Sequence, residues 1–312
     1  MIGKIKSWVN FQLRHLSTIN QGVNSLTDDL KSPKVNLGKL QAHLNSQRSN
    51  IKRLSDVEFQ VFSQWGDDGI IQYIIDKLEI PNKTFVEFGV ENYKESNTRF
   101  LLINNNWSGL VMDGSKANVD FIRKDKISWA HELHAWQQFI TKENINNLLT
   151  DFLKLGYDPG IGLLSIDVDG NDYWIWKEIN VVNPVIVVVE YNSVFGLNPW
   201  TIPYQQDFVR SQDCTDPRFI FYGSSLTALC DLADEKGYYF IGCNSAGNNA
   251  YFVRKDRIGN LKPLSVKEGY EVSKFRELMT VDGGRVSGPD RIKVLNGQKI
   301  YNTATKSVES IP

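Results

Sequence analysis

The sequence predicts an α/β fold with a doubly wound, mostly parallel sheet that ends in an antiparallel β-hairpin and is preceded by a helical arm. Short runs rich in Val, Ile and Phe alternate with amphipathic segments, as in successive strand–helix units. The run at 84–90 reaches a turn at Gly89, and a helical pattern follows it. Two later runs, at 238–243 and 249–254, are joined by a short polar loop, which indicates the hairpin.

Length and composition indicate one large globular domain with extensions. The chain has 312 residues, of which 41% are hydrophobic and 23% charged. There is no secretory signal and no run of about 18 apolar residues that would span a membrane. The three cysteines lack CxxC spacing and are odd in number, so neither a zinc site nor a disulfide framework is predicted. A reducing, cytoplasmic location fits these features best.

Charge separates the chain into an arm and a body. Residues 1–53 contain nine Lys or Arg and two acids, which gives +7, whereas the whole chain carries −1 and the remainder therefore −8. An acidic body argues against a nucleic-acid-binding core. We expect a basic helical arm and linker at 1–53, a core domain at 54–255 and a C-terminal extension at 256–312.

The arm has two interpretations. Apolar residues within 2–16 fall near helical spacing, with Lys and Arg elsewhere on the helix. Such a helix can lie peripherally on an anionic membrane, or it can pack on its own domain or on a second subunit, which we favour. Residues 17–50 are polar and are interrupted at 32–33 by Ser-Pro, so we expect a linker or a homo-oligomerisation arm.

The elements of the core domain follow in order along the chain. Each strand is predicted from an apolar run, and each helix from apolar residues at helical spacing between capping and breaking residues. The expected strands are 84–90, 109–114, 127–133, 161–172, which ends in three acids, and 184–192, and the expected helices are 70–75, 95–106, 141–155, 173–179 and 223–237. An irregular stretch at 196–222, which includes Arg210, is a candidate substrate lid beside the sheet edge.

Four strands end in acidic residues: Glu87, Asp113, Asp167 and Glu190. A parallel sheet collects these ends at one edge, where ligands of doubly wound folds bind. Asp113 follows Gly89 by 24 residues, close to the spacing at which an acid accepts hydrogen bonds from ribose hydroxyls. We therefore expect a nucleoside-containing ligand at this edge.

Asp167 and Asp169 share one face of an extended chain. Two such carboxylates repel each other unless a cation, a proton or a ligand amine lies between them. The alternative is that they cap the following helix and bind loop amides. A metal pair formed by His131 and His134 is poorly supported by its spacing. Asp67 or Asp68 caps the next helix, or Gln64 and Asp68 contact a ligand at the sheet edge.

Three motifs carry a resemblance to a known family. Residues 62–68 read Phe-Ser-Gln-Trp-Gly-Asp-Asp, 85–89 read Phe-Val-Glu-Phe-Gly, and 165–172 read Ser-Ile-Asp-Val-Asp-Gly-Asn-Asp. Over roughly 60–255 the chain resembles the FkbM-like family of class I S-adenosylmethionine-dependent methyltransferases, which have a Rossmann-like fold and of which many act on sugars or natural products. Residues 89–92 depart from the family, which usually has a second small residue in this loop.

The resemblance implies S-adenosylmethionine as the cofactor. Glu87 and Gly89 would hold its methionine end, Asp113 its ribose, and the turn around His131 would border the adenine. A methyl donor has no pyrophosphate and needs no multi-glycine cradle, and an acidic edge suits its cationic groups. The residues expected to bind it are Gln64, Asp68, Glu87, Gly89, Glu91, Asp113, Gly114, Ser115 and His131.

Methyl transfer to a hydroxyl requires in-line approach and removal of the acceptor's proton. Asp167, Asp169 and Glu190 could hold Mg²⁺, with Asn192 beside it, so that the cation polarises sugar hydroxyls; we favour this slightly. Otherwise Asp167 or Asp169 acts as a general base without a metal. Asp167, Asp169 and Asn192 are the expected catalytic residues.

The function implied by the resemblance is O-methylation of a sugar or related small polar acceptor, in surface-polysaccharide or natural-product biosynthesis. Because fold does not determine function, two alternatives stay open. One is a catalytically silent methyltransferase-like module that organises a partner through its arm. The other is a nucleotide-sugar or dinucleotide enzyme, against which the missing GxGxxG motif counts.

Overall fold

A seven-stranded sheet forms the centre of the protein, in a computed structural model that describes residues 32–213, 219–273, 278–279 and 285–312. Its neighbouring strands are arranged in the order β3-β2-β1-β4-β5-β8-β7. The strands are β1 (Thr84–Phe88), β2 (Ser108–Asp113), β3 (Leu133–Gln137), β4 (Leu163–Ile166), β5 (Ile186–Glu190), β7 (Tyr238–Cys243) and β8 (Asn249–Arg254).

The first five strands run parallel, and β8 is antiparallel to both of its neighbours. Within the parallel part, Phe85 of β1 lies opposite Gly109 of β2 and Leu163 of β4. The direction of winding changes between β1 and β4, which is where doubly wound sheets form their ligand crevice. The predicted fold class and terminal hairpin are confirmed.

Helices cover both faces of the sheet. They are α1 (32–46), α2 (Asp67–Lys77), α3 (Arg99–Asn105), α4 (Lys116–Lys124), α5 (Ile127–Ala130), α6 (Ile145–Leu153), α7 (Asp172–Glu178), α8 (Arg210–Asp213), α9 (Leu226–Glu235) and α10 (Val266–Gly269). In this described part of the chain, none is both long and apolar enough to cross a bilayer.

Two apolar clusters hold the helices to the sheet. Val86 of β1 packs in the cluster that contains α6, α7 and α9, whereas its neighbour Phe85 packs in the cluster that contains α2, α3 and α4. Side chains of successive residues in one strand therefore pack on opposite faces of the sheet, and all five residues of β1 are buried. This double coverage explains the unbroken apolar character of the strands.

The third strand begins later than predicted. Residues 127–130 form α5, and β3 starts only at Leu133. The Asp125 carboxylate accepts the Ile127 amide, and the Ser128 hydroxyl donates to the Ile122 carbonyl, so local hydrogen bonds hold this segment as a helical turn. Residue 131 consequently precedes its strand and lies at the sheet's amino edge.

Residues 32–46, within the segment expected to be a linker or an oligomerisation arm, form a helix. Pro33 lies in the first turn, where a missing amide hydrogen costs nothing. Asn45 is buried and donates to the Val57 carbonyl at 2.8 Å, and a Cβ on Gly38 would lie 2.4 Å from Val61. This helix packs closely on the domain. The interpretations of 2–16 and of 17–31 concern residues outside the described ones.

The C-terminal extension packs on 196–213 and 219–222, the described parts of the irregular stretch at 196–222. The short strand β6 (Trp200–Thr201) pairs with β11 (Lys299–Asn302), which pairs with β12 (Ser307–Ser310). A third apolar cluster joins the two regions through Phe195, Trp200, Ile220, Leu295, Ile300 and Ile311. The remaining two strands, β9 (Leu278–Met279) and β10 (Arg285–Val286), pair with each other. The extension therefore supports the wall beside the carboxyl edge.

Candidate active site

Gly89 brings the ends of β1 and β4 into contact. Its φ is +68°, and a Cβ at this position would lie 1.7 Å from the Asp167 carbonyl oxygen. Its amide donates to the Met112 carbonyl of β2 at 3.0 Å. Only a residue without a side chain allows this approach at this φ. The turn at Gly89 thus joins three strand ends.

A cavity of about 330 Å³ lies against this junction. It is bounded by the ends of β1, β2 and β4 and by the segment after β3. Its lining residues are Gly89, Glu91, Met112, Asp113, Gly114, Ser115, Gln138, Phe139, Ile140, Asp167, Val168, Asp169, Asn171 and Phe208. Five residues expected to bind a cofactor are among them: Gly89, Glu91, Asp113, Gly114 and Ser115. Gln138 and Phe139 were missed because the third strand was placed too early.

Asp113 organises the loops around the cavity. Its Oδ2 accepts the Glu91 amide at 2.8 Å, and its Oδ1 accepts the Ser115 amide at 2.8 Å and the Asn118 side-chain amide at 3.1 Å. Each carboxylate oxygen has two lone pairs. Oδ2 therefore retains one acceptor position in the cavity wall.

Glu87 and Asp68 lie behind the cavity and do not line it. Glu87 accepts the amides of Asn97 and Thr98 at 2.8 and 3.1 Å, and burial raises its pKa to about 7. Asp68 Oδ2 accepts the amides of 61, 62 and 63 at 2.7–2.8 Å, and burial raises its pKa to about 6. Gln64 is exposed and outside the lining. In this structure Glu87 and Asp68 support loops and none of the three residues lines the cavity, so their contact with a cofactor stays a prediction.

Asp167, Asp169 and Glu190 come together at the ends of β4 and β5. One oxygen from each lies within 4.8 Å of the others. Glu190 is 5% exposed, and its Oε2 has no hydrogen-bond partner among the described residues. Burial, followed by the charge of Asp169, raises the pKa of Glu190 well above its ordinary value; burial and then Glu190 do the same for the pKa of Asp167. This acidic trio favours a proton or a cation.

Arg210 from the 196–222 stretch contacts the acidic trio. Its Nη1 lies 2.6 Å from Asp169 Oδ1, and its guanidinium stacks 3.5 Å from the centre of the Tyr222 ring. Its Nε and Nη2 donate to the Phe219 carbonyl at 3.0 and 2.8 Å. The sequence offers no local signal for this contact, because Arg210 is 41 residues from Asp169.

The side chain of Asn192 binds main chain in this structure, and its expected catalytic role stays a prediction. Its Oδ1 accepts the Val194 amide at 3.0 Å, and its Nδ2 donates to the carbonyls of Ile220 and Tyr222 at 2.7 and 2.9 Å. Both amide donors and the oxygen therefore bind main chain. Asn192 fixes the 196–222 stretch to the end of β5, and it is 2% exposed.

His131 lies at the amino edge of the sheet, across the sheet from the carboxyl-edge cavity. It lines a different cavity, with residues that precede β1, β2 and β4. This placement does not support the expectation that the turn around His131 borders an adenine, because β3 starts later than predicted. His134 lies within β3 and its Nε2 makes a 3.1 Å hydrogen bond with the Tyr157 hydroxyl.

A second cavity of about 480 Å³ adjoins the first. The two share Phe139, Val168, Asp169 and Phe208. Val209, Arg210, Ser211 and Phe219 form the rest of its lining, so these residues of the irregular stretch lie beside the carboxyl edge. Two ligands bound in these cavities would be neighbours, with Asp169 at the boundary.

No protein-family model and no curated protein matches the chain. Among solved structures, the chain is similar to the N-terminal domain of EvdMO1, determined in the presence of SAH and D-fucose, with 12% identity over 55% of this chain and 73% of that one and a TM-score of 0.35. The chain is also similar to an S-adenosylmethionine-dependent methyltransferase from Clostridium acetobutylicum ATCC 824, with 12% identity over 60% of this chain and 90% of that one and a TM-score of 0.37.

The O-methyltransferase NcsB1 from neocarzinostatin biosynthesis, determined with SAH and 1,4-dihydroxy-2-naphthoic acid, has 15% identity over 55% of this chain and 49% of that one, with a TM-score of 0.33. Identities this low and TM-scores below 0.5 carry no argument about activity. The functional proposal therefore depends on the site itself.

Proposed function

We propose that this protein is a S-adenosylmethionine-dependent O-methyltransferase that acts on a hydroxyl of a sugar or a related small polar molecule. The observation that carries the proposal is the pair of adjoining cavities at the switch point of the sheet. The first meets the strand-end residues Gly89 and Asp113, and the second meets the 196–222 stretch. A donor in the first cavity would face an acceptor in the second across Asp169.

The first cavity fits the cofactor in size and chemistry. Its volume of about 330 Å³ is within the range of small-molecule sites, roughly 300–1,000 Å³. Glu91, Asp113, Asp167 and Asp169 give it an acidic lining, which suits a cationic ligand better than an anionic dinucleotide. When bound, S-adenosylmethionine supplies an electrophilic methyl group on a sulfonium centre.

Residues of the carboxyl edge would hold this cofactor. We assign Gly89 and Glu91 to its methionine end, and the remaining acceptor position of Asp113 Oδ2 to a ribose hydroxyl. Gly114 and Ser115 lie beside Asp113. Gln138 and Phe139 replace His131 as the residues beside the base.

Asp167 is the preferred proton acceptor. Its raised pKa, which results from burial and the neighbouring Glu190, makes its carboxylate a stronger base than an exposed aspartate. The acceptor hydroxyl would give its proton to an Asp167 oxygen. Arg210 would then hold Asp169 and the adjacent wall in place through its contacts with Phe219 and Tyr222.

The alternative is that the acidic trio holds a divalent cation. Carboxylate oxygens are the ligands that Mg²⁺ prefers, and the unpartnered Oε2 of Glu190 is available as one. The cation would lower the pKa of the acceptor hydroxyl. Both alternatives use Asp167, and they differ in their need for metal.

A catalytically silent methyltransferase-like module is the second candidate function. One observation favours it: Arg210 already supplies a positive charge to Asp169 of the trio. In this case the protein would bind the cofactor without turning over any acceptor.

The first test is calorimetric titration of the full chain with S-adenosylmethionine, S-adenosylhomocysteine and NAD. We expect binding of the first two and none of NAD. Asp151→Asn, at an exposed carboxylate on α6, is the control and should bind as the wild type does. Failure to bind either adenosyl compound, or preference for NAD, would reject the proposal.

The second test separates the mechanisms. With an acceptor identified from a panel of sugars, Asp167→Asn should lose turnover by at least about 10²-fold and lose much less cofactor affinity, because three other acids still line the cavity. Full activity of the wild type in EDTA would exclude the cation. Turnover by Asp167→Asn within about threefold of wild type would exclude the role of Asp167 in both mechanisms.

A further inference from the structure

A separate cavity of about 650 Å³ lies at the amino edge of the sheet. It is formed by the segments that lead into β1, β2, β3 and β4, at 81–84, 106–108, 129–132 and 156–158. The carboxyl-edge site is formed by segments that leave the same strands. The proposed methyl transfer therefore makes no use of the amino-edge cavity.

Trp129 lines this cavity with an unusually exposed side chain. It is 78% exposed, more than any other large apolar side chain in the described part of the chain. An indole offers a broad apolar face, and covering it would be favourable. The flat face of a sugar ring, with its C–H groups, has the matching shape and chemistry.

Hydrogen-bond acceptors accompany Trp129. The Tyr157 hydroxyl donates to Glu132 Oε1 at 2.7 Å and is itself 3.1 Å from His134 Nε2, so this carboxylate is held in place. Asp158 Oδ1 accepts the Gly160 amide at 2.6 Å. Each carboxylate keeps acceptor capacity for hydroxyl groups.

The charges at the amino-edge cavity disfavour an anionic ligand. Lys83 faces two carboxylates, Glu132 and Asp158. Burial, followed by the charge of Arg99, lowers the pKa of His131, which favours the neutral imidazole. A lining with a net negative charge and excess acceptors suits a neutral ligand with many hydroxyl groups.

We propose that the amino-edge cavity is a second, non-catalytic binding site for a neutral saccharide. Trp129 is the stacking platform, and Glu132 and Asp158 accept sugar hydroxyls. On a long saccharide such a site holds units remote from the one at the carboxyl edge. The site goes beyond methyl transfer and does not depend on it.

The test is titration of the full chain with maltohexaose, cellohexaose and mannohexaose, followed by calorimetry and saturation-transfer NMR. At least one should bind. Trp129→Ala should weaken that binding by about tenfold or more, since it removes the stacking face. Glu132→Gln, which keeps the shape of the side chain, should weaken it severalfold. Phe121→Ala is the control, because Phe121 is 40% exposed on α4 but does not line the cavity.

The saccharide site would be overturned if no hexasaccharide bound at about 10 mM. It would also be overturned if a hexasaccharide bound with a dissociation constant of about 4 mM or lower and Trp129→Ala left that constant unchanged. The third contrary result is a change in oligomeric mass, measured by light scattering, when Trp129 is replaced by Ala. The last would assign Trp129 to a subunit contact. Exposed substitutions change stability by about 0.5 kcal/mol or less, so the variants should fold. Titration of Trp129→Ala with S-adenosylmethionine tests the methyl-transfer proposal independently, because Trp129 does not line the carboxyl-edge cavity.

Discussion

Gly89 is the residue whose replacement the site tolerates least. Gly89→Ala combines an unfavourable φ of +68° with a Cβ 1.7 Å from the Asp167 carbonyl oxygen. We expect the free energy of unfolding to fall by about 2 kcal/mol or more, and cofactor affinity to be lost, because the ends of β1 and β4 must separate. Urea denaturation and calorimetry measure the two effects.

Gly237→Ala is a control that measures the cost of a positive φ alone, without the steric clash expected for Gly89→Ala. Gly237 has a φ of +84°, and nothing lies within 4 Å of an added Cβ. It should cost only about 1 kcal/mol. Equal losses in the two alanine variants would show that the contact with Asp167 is unimportant.

We expect Glu190 to lower the stability of the fold at high pH while it contributes to activity. Because burial raises its pKa in the folded protein, the folded state binds its proton more tightly than the unfolded chain, in which the carboxyl titrates near pH 4. Its contribution to stability is therefore fully present below about pH 4 and is lost as the pH rises through the folded pKa.

Glu190→Gln should consequently be more stable than wild type at pH 8, by about 1–3 kcal/mol, with a difference that shrinks toward pH 4. Urea denaturation across this range measures it, and methyl transfer should be impaired. Glu178→Gln, at an exposed carboxylate of α7, should change little at any pH. A Glu190→Gln protein that is less stable than wild type at pH 8 would contradict the raised pKa of the buried Glu190 carboxyl.

Among the elements, the hairpin of β11 and β12 has the least obvious role. Ile300 of β11 is fully buried in the cluster that includes Trp200 and Ile220. Ile300→Ala should cost about 2–4 kcal/mol and raise the KM for the acceptor more than that for the cofactor, because the cluster supports the 196–222 stretch. Denaturation and steady-state kinetics test both.

Val308→Ala is the matched control on the same hairpin. Val308 of β12 is 56% exposed, so its truncation should change stability by about 0.5 kcal/mol or less. Equal increases in both KM values for Ile300→Ala would show that the hairpin supports the whole domain and not the acceptor side.

At the scale of the whole molecule, cofactor binding should stabilise the fold. A ligand at 100 times its dissociation constant adds about 2.7 kcal/mol, which corresponds to roughly 5 °C in Tm for a chain of this size. Thermal unfolding with S-adenosylhomocysteine should show this rise, and NAD at the same concentration should not. A rise with NAD alone would favour a dinucleotide enzyme.

The sheet was predictable because its strands are covered on both faces and so read as unbroken apolar runs, as at Ile186–Glu190. The gathering of Asp113, Asp167 and Glu190 at one edge follows from parallel strands. Contacts between segments that are distant along the chain leave no comparable pattern in the sequence. Arg210 pairs with Asp169, and the Asn192 side chain donates to the carbonyls of Ile220 and Tyr222. Both contacts depend on how a segment without a regular hydrophobic period folds back onto the sheet edge.

The contact between Gly89 and the Asp167 carbonyl has a consequence for engineering. The proposed cofactor side and the proposed acceptor side are not separate modules, since the main chain at Gly89 rests on the main chain at Asp167 with no side chain between them. A library that varies 167–169 to change acceptor preference will also move the turn at 89–91. Selections for a new acceptor should therefore be screened for donor affinity in the same round.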